Sequence, residues 1–292
     1  MPAIFECVPN ISEGRRADVI EAVGKIAVDG AGVALVDTQT DASHNRSVYT
    51  LIGSGDGVLE AAVRLAGAAA ERIDLRKHKG AHPRMGAVDV IPFIPLGDAS
   101  MDEAVQLARR CANELWRRFK LPSYFYGLAA TRPERRRLPD LRKGEFEGLL
   151  SAVKEPARHP DVGEPALHPT AGIVAVGARN FLIAFNVNLV TPDLSVAERI
   201  AAGLRESSGG LAGIQAKGFV LAENIVQVSM NVTDLRAVSL YRITELVRRE
   251  AAAAGVAISA SELVGLAPLA AIADSAAYYL HLTSIDGNQI SW

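Results

Sequence analysis

The densest group of side chains able to do chemistry is residues 74–86, DLRKHKGAHPRMG. Three readings of it compete. His78 and His82 are four apart, a spacing that places two metal ligands on one face of a helix. Gly80 between them and Pro83 directly after work against a regular helix, and no cysteine or carboxylate stands close enough to complete a ligand set. The second reading is general acid–base catalysis. Histidine titrates near 6.5. Arg76, Lys77, Lys79 and Arg84 would repel a proton from the imidazole and keep it neutral, ready to accept one. The same cations would attract a carboxylate-bearing substrate. The third reading is a solvated basic loop with incidental histidines. Composition does not decide between the last two.

Other stretches carry weaker signals. Asp41, His44, Asn45 and Arg46 could supply a base, an amide and a cation, or an ordinary polar turn. Gly53-Ser-Gly-Asp-Gly57 opens a helix but lacks phosphate-loop spacing, and Asp56 would repel phosphate, so a capped turn is expected. The basic run from Arg132 to Lys143 lacks the interleaved aromatics of a nucleic-acid platform and reads as a solvated face. Residues 163–172, GEPALHPTAG, suit close backbone approach to a flat ligand, or a plain linker. Gly177–Asn180 reads as a turn that leaves Arg179 exposed or reaching into a groove. Cys7 and Cys111 sit in apolar settings that favour core packing.

These residues need elements to hold them. The 292-residue chain is long enough for about two domains. Its 49% hydrophobic content can offset chain entropy, which argues against disorder. A net charge of -2 argues against a nucleic-acid binder, and two cysteines against a disulfide scaffold, so a reducing cytoplasm is expected. The N-terminal run is too short and too acidic for a signal peptide. The apolar stretches 172–190 and 251–280 are broken by polar residues, so no membrane partner is expected. Periodicity predicts strands at 3–9, 32–40, 46–53 and 88–96, with helices at 15–28 and 56–72. Two prolines suggest that 88–96 is an edge strand. A helix at 101–119 and a strand at 123–129 follow, then an irregular region, 131–171. The second half reads strand 181–190, helix 195–206 with Ser195 and Glu198 at capping-box spacing, a Gly-rich loop 207–218, a strand pair 219–223 and 225–233, helix 237–254, strand 256–264 and helix 268–280. Each half has the order β-α-β-β-α-β. The fold class is therefore α+β: two tandem ferredoxin-like (βαββαβ) subdomains, with a ligand groove expected between them.

The stretches ECVPNISEG (6–14), HNRSVYT (44–50), IDLRKHKGAHPRMGAVDVIPFIP (73–95), GARNFLIAFNVNL (177–189) and ELVGLAPL (262–269) together resemble the glutamate formimidoyltransferase family, the formiminotransferase domain. They span nearly the whole chain. The resemblance implies an N-terminal subdomain at 1–179, a C-terminal subdomain at 180–292, a folate site between them and a cytoplasmic homodimer. It implies transfer of the formimidoyl group of N-formimidoyl-L-glutamate to N5 of tetrahydrofolate in histidine degradation. Tetrahydrofolate is then a co-substrate, and no metal is expected.

The family's catalytic histidine falls on His82. Its folate-contacting stretch falls on Gly163, Glu164, Pro165, Ala166, Leu167, His168, Pro169, Thr170, Ala171 and Gly172. Candidates for holding the donor are Asp41, Asn45, Arg46, Lys79, Arg84 and Arg179. Where the family pattern has an acidic residue supporting the histidine, this chain has Gln39, flanked by Asp37 and Asp41. Some relatives continue into a cyclodeaminase. With this chain ending at Trp292, such an activity is expected on a separate protein. Two alternatives stay open: formyl exchange between 5-formyltetrahydrofolate and glutamate, and a non-catalytic folate-binding protein.

Overall fold

The computed structural model describes residues 3–235, 237–283 and 285. The chain divides into two compact units, Met1–Asn180 and Phe181–Trp292.

The first unit opens with β1 (Ile4–Cys7) and β2 (Asn10–Ile11), then α1 (Ala17–Val28), β3 (Val33–Asp41), β4 (Arg46–Ser54), α2 (Gly55–Arg72) and β5 (Val88–Leu96). After these come α3 (Met101–Phe119), β6 (Ser123–Gly127), the short helices α4 (Leu138–Leu141) and α5 (Glu145–Ala152), and β7 (Val174–Ala178). β3, β4, β1 and β5 lie side by side in that order, with antiparallel neighbours. β7 and then β6 extend the sheet in parallel beyond β5. The apolar faces of α1, α2 and α3 pack on one side of it, around fully buried Tyr49, Leu51, Leu65 and Phe93. Each such side chain contributes about 1.5–3 kcal/mol on leaving water. On the other side, Leu138, Leu141 and Leu149 cover Val90, Tyr124, Tyr126 and Ala175.

Three expectations for this unit need correction. The strand at 3–9 is broken at Val8–Pro9 into β1 and β2. β5 is a central strand, paired on both sides, and its prolines stand where no amide is needed. The Pro92 carbonyl accepts from Val8 N, so its missing N–H faces the break between β1 and β2. Pro95 lies past the last β5–β7 pair, Phe93–Ala178. Finally, β7 was hidden in the apolar run 172–190: buried on both faces, it has no alternation to read.

The second unit runs β8 (Ile183–Val190), α6 (Leu194–Leu204), β9 (Ile214–Ala222), β10 (Ile225–Val232), α7 (Leu240–Ala253), β11 (Ile258–Val264) and α8 (Leu269–Tyr279). Its strand order, β11-β8-β10-β9, is the same ferredoxin-like arrangement. α6 begins one residue earlier than expected, and Asp193, not Ser195, caps it by accepting from Ser195 N at 2.9 Å. The expected loop at 207–218 is cut short because β9 starts at Ile214.

Candidate active site

The candidate residues of the first unit come from three segments: the β3–β4 turn, the stretch after Ile11 and the α2–β5 loop. Asn45 joins them. Its backbone takes φ +51°, a left-handed turn that asparagine tolerates. Its side-chain oxygen accepts from Gly14 N at 2.9 Å, its amide donates to the Lys79 carbonyl at 3.0 Å, and its own carbonyl meets His78 Nε2 at 3.0 Å. Gly80 then passes so close that an added Cβ would stand 2.3 Å from the His44 carbonyl oxygen. The loop therefore has a glycine where the chains touch.

His82 lies half-buried in a shallow recess shared with His44, Arg46, His78, Arg84 and Asp89. Burial, together with repulsion from Arg46 and Arg142, holds its pKa down at about 4, with Asp89 pulling the other way. The ring is thus neutral at physiological pH, as acid–base chemistry needs, but the cations responsible lie outside its own loop. The His44 ring meets it edge-on, centroids 6.3 Å apart, and His44 Nδ1 lies 2.6 Å from Asp41 Oδ2. Gln39 donates to Asp37 at 2.9 Å. Of the two acidic neighbours, Asp41 is the one linked toward His82, through His44.

Arg46 and Arg84 differ sharply. Arg46 donates one hydrogen bond to Asn10 Oδ1, while its buried Nε–H has no partner among the described residues. Burial and the nearby Arg142 bring its pKa down to about 10. A partly buried guanidinium left this way is stabilised by an incoming anion. Arg84 is already satisfied, donating to Glu145 at 2.6 Å, to both oxygens of Glu147 at 2.9 and 2.6 Å, and to His78 Nδ1 at 3.2 Å. With Asn45 on its other nitrogen, His78 has both ring nitrogens engaged, which leaves it no lone pair for a metal.

Lys79 is exposed, and it is its backbone that the site uses. Arg179 stands at the end of β7, donating to the Asn180 carbonyl at 3.0 Å and acting electrostatically on buried Glu6. In the 163–172 stretch, Gly163–Ala166 are exposed. His168 and Gly172 close a turn on each other, and the Thr170 and Ala171 carbonyls accept from Leu75 and Ala87, the two ends of the His82 loop. The stretch and the loop are therefore one hydrogen-bonded body.

Two residues that act electrostatically on His82, Asp89 and Arg142, escaped sequence reasoning. Asp89 is 3% exposed, accepting from Met85 N at 2.8 Å and from Arg142 Nε at 2.8 Å. Arg142 belongs to the run read as a solvated face. That reading fails for two members, because Arg135 is likewise buried, paired with Asp161 at 2.5 Å. No signal in the run marks which arginines turn inward.

Fold and recess together define a class: an α+β protein of two ferredoxin-like units, the first holding a neutral histidine beside an under-partnered arginine. Within that class, the chain belongs to the formiminotransferase family. Residues 4–179 match the formiminotransferase domain, N-terminal subdomain, and residues 184–286 match the formiminotransferase domain. The chain is 45% identical to a glutamate formimidoyltransferase of Streptococcus pyogenes serotype M1, over 98% of this chain and 96% of that one. It is 42% identical to a glutamate formimidoyltransferase of Thermoplasma acidophilum, covering 99% and 96%. It is 43% identical to the formimidoyltransferase-cyclodeaminase of Rattus norvegicus, covering 96% of this chain and 53% of the longer protein.

Proposed function

We propose that this chain is a glutamate formimidoyltransferase that uses His82 as its general acid and base. N5 of tetrahydrofolate attacks the amidine carbon of N-formimidoyl-L-glutamate. An N5–C bond forms, the C–N bond to glutamate breaks, and one proton moves from N5 to the departing nitrogen. His82 carries that proton. Attack moves the amidinium charge onto N5 and develops no oxyanion, so proton movement off N5 matters more than an oxyanion hole. Holding both substrates together supplies much of the remaining acceleration.

The observation that carries this reading is the pairing of a neutral His82 with the buried, unpartnered Nε–H of Arg46 in one recess. Arg46 anchors a donor carboxylate, with Lys79 and Arg179 as secondary cations. Asp41 orients His44, and Asn45 and Arg84 hold the walls. A bound carboxylate at Arg46 also cancels the repulsion on His82 and raises its pKa toward the operating range. Residues 163–172 contact the folate, with 163–166 offering the exposed backbone. The free cysteines Cys7 and Cys111 are both buried, which suits a reducing cytoplasm. The homodimer and the place in histidine degradation follow from the family resemblance.

The test is turnover with tetrahydrofolate and N-formimidoyl-L-glutamate, run beside 5-formyltetrahydrofolate and glutamate, for wild type and His82→Ala. Formimidoyl transfer lost in the variant supports the reading. Formyl transfer alone reassigns the donor. Silence in both reactions, with folate still bound, makes the chain a binding protein.

A further inference from the structure

Two of the family-like stretches lie wholly or mostly in the second unit, and their residues there, 181–189 and 262–269, have no part in the mechanism above. In the second unit they meet on one sheet face. Ile183, Phe185, Val187, Leu189 and their neighbours on β10 pack into the core with α6 and α7. The alternate positions of the same strands carry Asn186, Asn188, Gln227 and Glu262. Asn186 pairs in register with Ser229 on one side and Glu262 on the other, and Asn188 with Gln227.

A polar row on an open sheet face is ordinary when it is hydrated. Here the amides are buried: Asn186 is 9%, Asn188 6% and Gln227 8% exposed. Asn188 donates to Glu262 Oε1 at 2.8 Å. Gln227 donates to Asn188 Oδ1 at 2.9 Å and to Glu262 Oε2 at 3.3 Å. Both carboxylate oxygens are thus held in place by buried amides while Glu262 itself stays exposed. Each oxygen keeps lone-pair capacity, since a carboxylate offers about four acceptor positions. Beside it, the buried Asn186 Oδ1 has no hydrogen-bond partner among the described residues. Such an orphan costs about 1–3 kcal/mol unless something satisfies it. Around Glu262 the oriented, unfilled positions are therefore acceptors, while the row's cation, Lys217, stands at its far end beyond Ser229. The Glu262 end would reject a carboxylate and take a group with several N–H donors in one plane.

We propose that Glu262, with Asn186, Asn188 and Gln227, forms a subsite for a planar N–C–N donor edge of the amidine or 2-aminopyrimidine type. A fixed carboxylate meets such an edge with two parallel hydrogen bonds, as it does a guanidinium. The inference rests on the function proposed above, where both substrates present this chemistry. The donor has its formimidoyl amidinium, and tetrahydrofolate has the 2-amino and N3–H edge of its pterin.

The test compares wild type with Glu262→Gln in the full chain. Tetrahydrofolate affinity is measured by calorimetry, donor affinity by KM, and folding by Tm. The substitution keeps the size but replaces one acceptor with a donor. The expected result is a loss of about tenfold or more in affinity for one substrate, with the other within about twofold and Tm unchanged. Weaker tetrahydrofolate binding identifies the pterin as the occupant; a raised donor KM identifies the amidine. Unchanged affinity for both, or an equal loss for both, overturns the subsite. Wild type that binds neither substrate overturns the functional reading as well, so the two failures are distinct. If Glu262→Gln folds poorly, Gln227→Met, which removes only an amide holding the carboxylate, is expected to give a smaller loss for the same single substrate.

Discussion

Replacing Arg46 by methionine is expected to raise the pKa of His82. The starting point is a ring held at about 4 against an ordinary 6.5. That difference of about 2.5 pH units corresponds to roughly 3 kcal/mol, which solvent at the ring's open side reduces to about 1–2 kcal/mol. Burial is the larger cause and survives the substitution, since methionine fills similar space. Arg46 is the next cause, so its removal recovers less than half the gap, about one pH unit.

Unfolded His82 binds its proton near 6.5 and folded His82 only near 4. Folding is therefore favoured above pH 6.5 and loses that stability as the pH falls from 6.5 to 4. Arg46→Met narrows this window from below. The assay is long-range ¹⁵N–¹H spectroscopy of the imidazoles across pH 3.5–8, with His82→Gln identifying the resonance. Adding the donor to wild type should raise the same midpoint, because its carboxylate neutralises Arg46. The acidic limb of kcat/KM, which reports the free enzyme, should lie well below 6. A wild-type midpoint at or above 6.5, or one unmoved in Arg46→Met, refutes the reasoning.

Three further outcomes are expected. His82→Ala lowers kcat about 10²–10⁴-fold, the range of a lost acid–base catalyst, with Tm nearly unchanged because the ring is only half-buried. Gly80→Ala brings a methyl group within 2.3 Å of the His44 carbonyl; it should cost about 1–3 kcal/mol in denaturant unfolding and depress kcat together with it. Asp89→Asn strands Arg142 and weakens the bond to Met85 N, costing about 3–5 kcal/mol by thermal unfolding; losing the one anion that favours protonation also moves the His82 midpoint lower still.

Periodicity in the chain was enough to read most elements, because helices such as α3 carry one apolar face and strands such as β3 alternate. It failed where burial removed the pattern, as in β7, and misjudged β5, where two prolines fit a central strand only because β1 and β2 part at Pro9 and β7 ends early. In the same way, the motif around His82 was visible as residue types. Its electrostatics were not, since burial first and then Arg46 and Arg142 set its charge state, rather than the lysines beside it in sequence.

The amino-acid sequence alone determined that the chain would form two α+β units and where its densest group of reactive side chains lies, the histidine-rich loop. Local preference and residue type suffice for that. Only the tertiary structure decided which cations act. Buried Arg84 is satisfied by Glu145 and Glu147, whereas partly buried Arg46 keeps a buried Nε–H with no partner among the described residues. Two arginines identical in type differ because partner supply and solvent access are set by segments tens of residues away, and those meet only once the sheet has formed.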